Sequence, residues 1–256
     1  MDAAIRKTST LVFKLRWNLS ADLIVVAASW LLVVGALYSA TFLIGREVWG
    51  GMGYFLLYAL VGAGLFGVGI PLIWTVLIRK RTLADLGITT RYWKRSVLVQ
   101  LVFSLALYIP AYINTEMLPF AQLLPLIFLS LAIGLFEAIF WRGWVQLRLE
   151  EAFGILPSIL LASALYAAYH IGYGMPVSEM VFLFFIGLMY AAAFRLTKSI
   201  LILYPFFQPL GQLKTLITDQ LALPTIAALG FAEFLALIVL AIWLVWKRQK
   251  KAAQAL

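Results

Sequence analysis

Apolar residues in this chain come in long runs, without alternation. The runs fall at residues 23–45, 51–78, 97–118, 122–147, 158–173, 180–196, 199–217 and 225–246. A helix needs about 20 apolar residues to cross a hydrocarbon layer. A membrane β-barrel would instead alternate apolar and polar positions. The pattern predicts an all-α, polytopic membrane protein with eight transmembrane helices.

The runs differ from one another. The second is rich in small residues (Gly62, Gly64, Gly67, Gly69), which let helix backbones approach closely. The seventh holds Pro205, Pro209 and Gly211 together with Gln208 and Gln212. So broken and polar a span is tolerated only inside a bundle or beside a cavity. Between the second and third runs, Leu83-Ala84-Asp85-Leu86-Gly87 forms a short amphipathic turn at the interface. Gly154 and Pro157 punctuate the join between the fourth and fifth.

The ends divide the chain into three parts. Residues 1–22 carry Arg6, Lys7, Lys14 and Arg16 among Leu11, Phe13 and Trp17, as a basic interfacial segment does. The run at 23–45 is too long for a signal-peptide core and lacks a clear cleavage site, so it counts as the first span. Residues 23–246 make one eight-span membrane domain, and 247–256 a basic tail with Lys247, Arg248, Lys250 and Lys251.

Composition sharpens the class. Hydrophobic residues are 64% and charged residues 12%, with a mean hydropathy of +0.99; soluble domains do not reach such values. The net charge of +9 sits in loops flanking the spans, so it reflects topology and not nucleic acid. The basic N-terminus, the 79–96 loop, the 195–198 loop and the tail alternate with connections poor in Lys and Arg. Eight spans with both termini in the cytoplasm satisfy the positive-inside rule. There is no cysteine, which excludes disulfides, thiolate metal sites and cysteine nucleophiles. The single histidine, His170, excludes a multi-histidine metal site. A metal held by His170 with carboxylates is the arrangement left open, and no cofactor is implied.

Two groups stand out as candidate chemistry. Glu137 lies inside the fourth run, where an ionised acid costs about 2.5–3.5 kcal/mol on insertion scales and faces a bundle interior or wet cavity. His170 lies inside the fifth. Helical spacing puts Ser130, Gly134, Trp141 and Trp144 on the stripe of Glu137. It puts Ser163, Tyr166 and Tyr173 with His170, and aligns Tyr204, Gln208, Gln212 and Thr215. At 1.5 Å per residue, Glu137, His170 and Gln208 lie roughly 15, 20 and 14 Å from the cytoplasmic ends of their spans, so one shared site is compatible. A buried carboxylate can act as a general base on water, and glutamine amides can hold an oxyanion. These parts suit amide hydrolysis and suit a proton relay equally. Arg142 is expected to snorkel to lipid phosphate or to tie its span to a neighbour. Glu233 is expected to be a buried acid with a structural partner.

At these residues the chain resembles the CPBP family, the CAAX-protease and bacteriocin-processing (Abi) intramembrane glutamic proteases. Glu137-Ala138-Ile139-Phe140-Trp141-Arg142 matches the family's EExxxR motif at the first glutamate and the arginine, with Ala138 at the second glutamate. Tyr166-Ala167-Ala168-Tyr169-His170 matches FxxxH with tyrosine for phenylalanine. The nearest equivalent of the third motif, HxxxN, is Gln208-Pro209-Leu210-Gly211-Gln212. The resemblance implies that Glu137 activates water, that His170 assists, and that Gln208 and Gln212 contribute to an oxyanion site, with Arg142 and Tyr166 in support. It also implies a membrane-anchored or hydrophobic peptide substrate and a plasma (cell inner) membrane location. The departures describe a divergent branch, a narrowed specificity or a pseudoenzyme. Two other classes stay open: a non-catalytic protein of the same fold in bacteriocin self-immunity or partner binding, and a small transporter.

Overall fold

A computed structural model describes residues 15–44 and 52–254. Most of the basic N-terminal segment, with Arg6, Lys7 and Lys14, lies outside the described residues. The described elements are helical, and no strand occurs among them. Among the described residues seven helices are long and apolar enough to cross a membrane. They are α1 (Ala21–Ile44), α2 (Met52–Ile78), α3 (Trp93–Ile113), α4 (Phe120–Phe153), α5 (Ile155–Tyr173), α6 (Val177–Thr197) and, after a shorter helix, α8, which runs over Ala227–Gln254. The shorter helix, α7 (Phe207–Thr218), occupies the broken seventh run, behind a 3-10 turn at Ile200–Ile202.

The chain divides into two compact units. One combines residues up to Pro71 with Phe140–Leu196; the other combines Leu72–Ile139 with Thr197–Leu256. The stretch 23–246, expected as one membrane domain, is thus divided between the two units. In the first unit α1 packs on α2, and α5 packs on both α6 and the C-terminal end of α4. In the second, α4 packs against α7 and α8, and α7 also packs against α3.

Within the second unit α7 explains why eight runs yield seven long helices. Ile200 N–H donates to the Gly87 carbonyl at 2.9 Å, just before α3 begins. Further on, Phe206 N–H donates to Gln100 Oε1 at 3.2 Å, and Tyr112 donates to the Leu210 carbonyl at 2.9 Å. Thr225 then donates to the Ala121 carbonyl at 3.1 Å, at the start of α4. The segment 200–225 therefore travels the length of α3 from one end to the other. It does so with a turn and a 12-residue helix, because Pro205 has no N–H to donate and helix geometry starts only beyond it.

Several boundaries differ from the sequence reading. The apolar pattern ends the fourth run at 147, with Arg148, Glu150 and Glu151 following it. The helix instead continues to Phe153 and turns at Gly154, whose φ of +96° suits glycine. Its charges are matched locally: Arg148 is buried, 3.9 Å from Asp22 and 3.0 Å from Glu151, and Arg195 lies 3.3 Å from Glu150. Glu233 is exposed and not buried. It lies near the start of α8, which presents that face outward.

Candidate functional site

Glu137 is the last residue of the α-helical part of α4, Phe120–Glu137. It is 2% exposed. Directly after it, Ala138–Gln146 winds as π-helix. Such segments bond i to i+5 and recur at functional sites. The 3.6-residue spacing that placed Trp141 and Trp144 on the face of Glu137 therefore does not carry across this boundary. Both tryptophans are fully buried packing residues, and Trp144 donates to Ser29 Oγ at 3.1 Å.

The glutamines of α7 converge on the carboxylate. Gln208 Nε2 donates a short hydrogen bond to Glu137 Oε2, and Gln212 Nε2 donates to the same oxygen at 3.3 Å. The i, i+4 spacing puts both amides on one face of α7. Tyr204, expected on that stripe, precedes the helix. Close approach of the two helices depends on Gly134, one turn before Glu137. A Cβ there would sit 2.6 Å from Pro209 Cγ. Gln208 is buried, and its Oε1 has no hydrogen-bond partner among the described residues.

The sequence reading missed Gln100. It is fully buried on α3 and accepts the Phe206 N–H, immediately before the helix that carries both glutamines. A signal was present: Ser96, Gln100 and Ser104 repeat every four residues inside an apolar run, and all three are buried. Beside them a cavity of about 240 Å³ is lined by Leu101, Ser104, Leu105, Tyr108, Phe206 and Leu210, among others.

His170, Tyr166 and Arg142 belong to the other unit. His170 caps the α-helical part of α5, Ile155–Tyr169, and is 7% exposed. Its Nδ1 lies 2.9 Å from the Tyr166 carbonyl oxygen. A carbonyl only accepts, so Nδ1 carries the proton in the neutral ring, and Nε2 is left as the acceptor. The rings of Tyr166 and Tyr169 meet it edge-on at centroid distances of 5.2 and 4.8 Å. The hydroxyls of Tyr58, Tyr169 and Tyr173 bond one another in a triangle beside it. Tyr173 is expected beside His170 from helical spacing, whereas Tyr169 and Tyr58 are not; Tyr58 comes from a run read only as glycine-rich. Arg142 is 1% exposed, with its guanidinium 5.5 Å from the Tyr166 ring centroid. It ties α4 to α5 and does not reach the surface, so the snorkelling expectation fails.

The structure thus brings Glu137, Gln208 and Gln212 together, and separately Arg142, Tyr166 and His170. Among the described residues no three His, Asp or Glu side chains group as metal ligands would.

Fold and site define a multi-pass helical membrane protein with a buried, amide-held carboxylate. Residues 119–205 match the family described as type II CAAX prenyl endopeptidase Rce1-like, consistent with the CPBP family. The matched stretch is about a third of the chain. It includes Glu137, Arg142, Tyr166 and His170 and stops short of Gln208. It supports a CAAX-type intramembrane protease in general, for which a membrane-associated substrate and a lipid surround are fitting. No curated protein and no solved structure matches the chain.

Proposed function

We propose that the protein is an intramembrane endopeptidase acting on a membrane-anchored or hydrophobic peptide, in the plasma membrane with both termini cytoplasmic. Glu137 takes a proton from water, and the hydroxide attacks the carbonyl carbon of the scissile bond. The tetrahedral intermediate collapses with cleavage of the C–N bond, and the proton passes to the leaving amine. His170 assists, a role that rests on the FxxxH-like motif. The observation carrying this reading is the pair of amides directed at Glu137 Oε2. Two donors on one oxygen hold a base in a fixed orientation. Each amide also has a second N–H, which suits an oxyanion, and the buried Gln208 Oε1 suits a hydrogen of the attacking water.

The competing reading is a non-catalytic membrane protein of this fold, in bacteriocin self-immunity or partner binding. Glutamines where the family has histidine and asparagine favour it, since they could hold Glu137 as a purely structural contact. Glu137→Gln and His170→Ala, at membrane expression matched to wild type, separate the two. Accumulation of the same uncleaved precursor in both membrane proteomes is the expected result. Normal expression with no precursor in either variant would sink the protease reading.

A further inference from the structure

One end of the unit formed by Leu72–Ile139 and Thr197–Leu256 gathers cations from three distant stretches of sequence. The connection from α2 to α3 carries Arg79, Lys80, Arg81, Arg91, Lys94 and Arg95. Lys198 follows α6. The end of α8 adds Lys247, Arg248, Lys250 and Lys251, all exposed.

Specific bonds join these stretches. Gln249 acts as a clasp: its Nε2 donates to the Arg81 carbonyl at 3.1 Å, and its Oε1 accepts the Leu83 N–H at 3.3 Å. Ser199 Oγ donates to the Thr89 carbonyl at 2.8 Å, beside the Ile200–Gly87 bond. The one acid within these stretches is Asp85, whose Oδ2 accepts both the N–H and the hydroxyl of Thr82, at 2.9 and 2.8 Å. The unit's exposed acids, Glu116, Asp219 and Glu233, follow α3, follow α7 and begin α8. That is the opposite end, where Thr225 meets Ala121.

Setting membrane orientation requires cations on one side of the bilayer but not their assembly into one cluster. Here the stretches that carry them are bonded to one another, and four of the cations lie over tryptophan rings. Arg79 lies 5.2 Å from the Trp74 ring, Lys94 5.9 Å from Trp93, Lys247 4.9 Å from Trp243 and Lys250 5.3 Å from Trp246. Tryptophan rings sit at the headgroup level of a bilayer, which puts their cations where lipid phosphates are. We propose that this end is a composite binding site for the phosphate of an anionic phospholipid of the surrounding leaflet, with Gln249 joining its loop half to its C-terminal half. Clustered Lys and Arg beside a span attract such lipids. The tryptophans favour a lipid over a soluble phosphate.

The full chain, reconstituted in phosphatidylcholine vesicles, would be probed with spin-labelled phosphatidylglycerol against spin-labelled phosphatidylcholine. Wild type is expected to select phosphatidylglycerol several-fold, less so as salt is raised. Two charge variants are expected to lose most of that selection: Arg91→Gln/Lys94→Gln/Arg95→Gln and Lys247→Gln/Arg248→Gln/Lys250→Gln/Lys251→Gln. Their positions are exposed, so folding is preserved. Gln249→Leu leaves the charge unaltered and is expected to weaken selection as well. Unaltered selection in Gln249→Leu, or loss in only one charge variant, would overturn the composite site. Displacement of the labelled lipid by glycerol phosphate would overturn the lipid assignment.

Discussion

Gln208 and Gln212 bond the same oxygen of Glu137, yet their surroundings make them unequal. Gln208 is 2% exposed, whereas Gln212 is half-buried. Gln208→Leu removes a buried donor from a buried carboxylate, so a loss of about 1–3 kcal/mol is expected. Gln212→Leu should lose less, because water can take its place. Thermal unfolding of the purified variants in detergent checks the order; equal losses would mean that burial does not rank the two. The Asp22–Arg148 pair gives a larger effect. Both side chains are almost fully buried, so Arg148→Met removes the cation of a buried pair at a cost of about 3–5 kcal/mol. The double variant Asp22→Leu/Arg148→Met is expected to recover much of that loss, as read by the same unfolding experiment.

At the scale of elements, α7 is positioned from two sides. Gly134 allows it to approach α4, and Gln100 holds its entry through the Phe206 N–H. Gly134→Ala drives a methyl into a rigid ring, with an expected destabilisation of about 1–3 kcal/mol. Adding Pro209→Ala removes the obstructing ring, so the double variant should be less destabilised than additivity predicts. An additive result would mean that Gly134 is not what sets the contact. The eight runs and the oddness of the seventh were legible in the sequence, since proline, glycine and glutamine in an apolar run announce a broken, protected span. Its form was not legible. A turn followed by a short helix arises because Gln100 and Gly87 accept backbone N–H groups from a distant segment. The helix of α4 runs past its apolar run to Phe153, because the charges that follow the run are paired by neighbouring side chains.

Across the whole molecule, topology turns on whether residues 200–225 count as a crossing. They run the length of α3; counting them as a crossing returns the eight spans expected from the sequence, with both termini on one side, and labelling tests that reading. With no native cysteine, single-cysteine variants give a clean test. Thr8→Cys and Lys251→Cys are expected to react with an impermeant thiol reagent from the same side, and Met117→Cys from the other. Reaction of Thr8→Cys and Lys251→Cys from opposite sides would show that the segment returns without crossing.

By itself the sequence determined the all-helical membrane class, the location of the spans, the cationic flanks and Glu137 and His170 as the groups to examine. These are properties of one dimension: apolar run length, charge placement and the cost of an acid in lipid all act on contiguous residues. The tertiary structure alone decided which oxygen of Glu137 the two glutamines meet, that Arg142 is buried against Tyr166, that three tyrosines ring His170, and that Gln249 joins the end of α8 to the backbone of Arg81 and Leu83. Each of these depends on a partner far along the chain. Helical spacing orders residues on one helix but says nothing of which helix faces it, and the π-wound stretch after Glu137 breaks even that spacing.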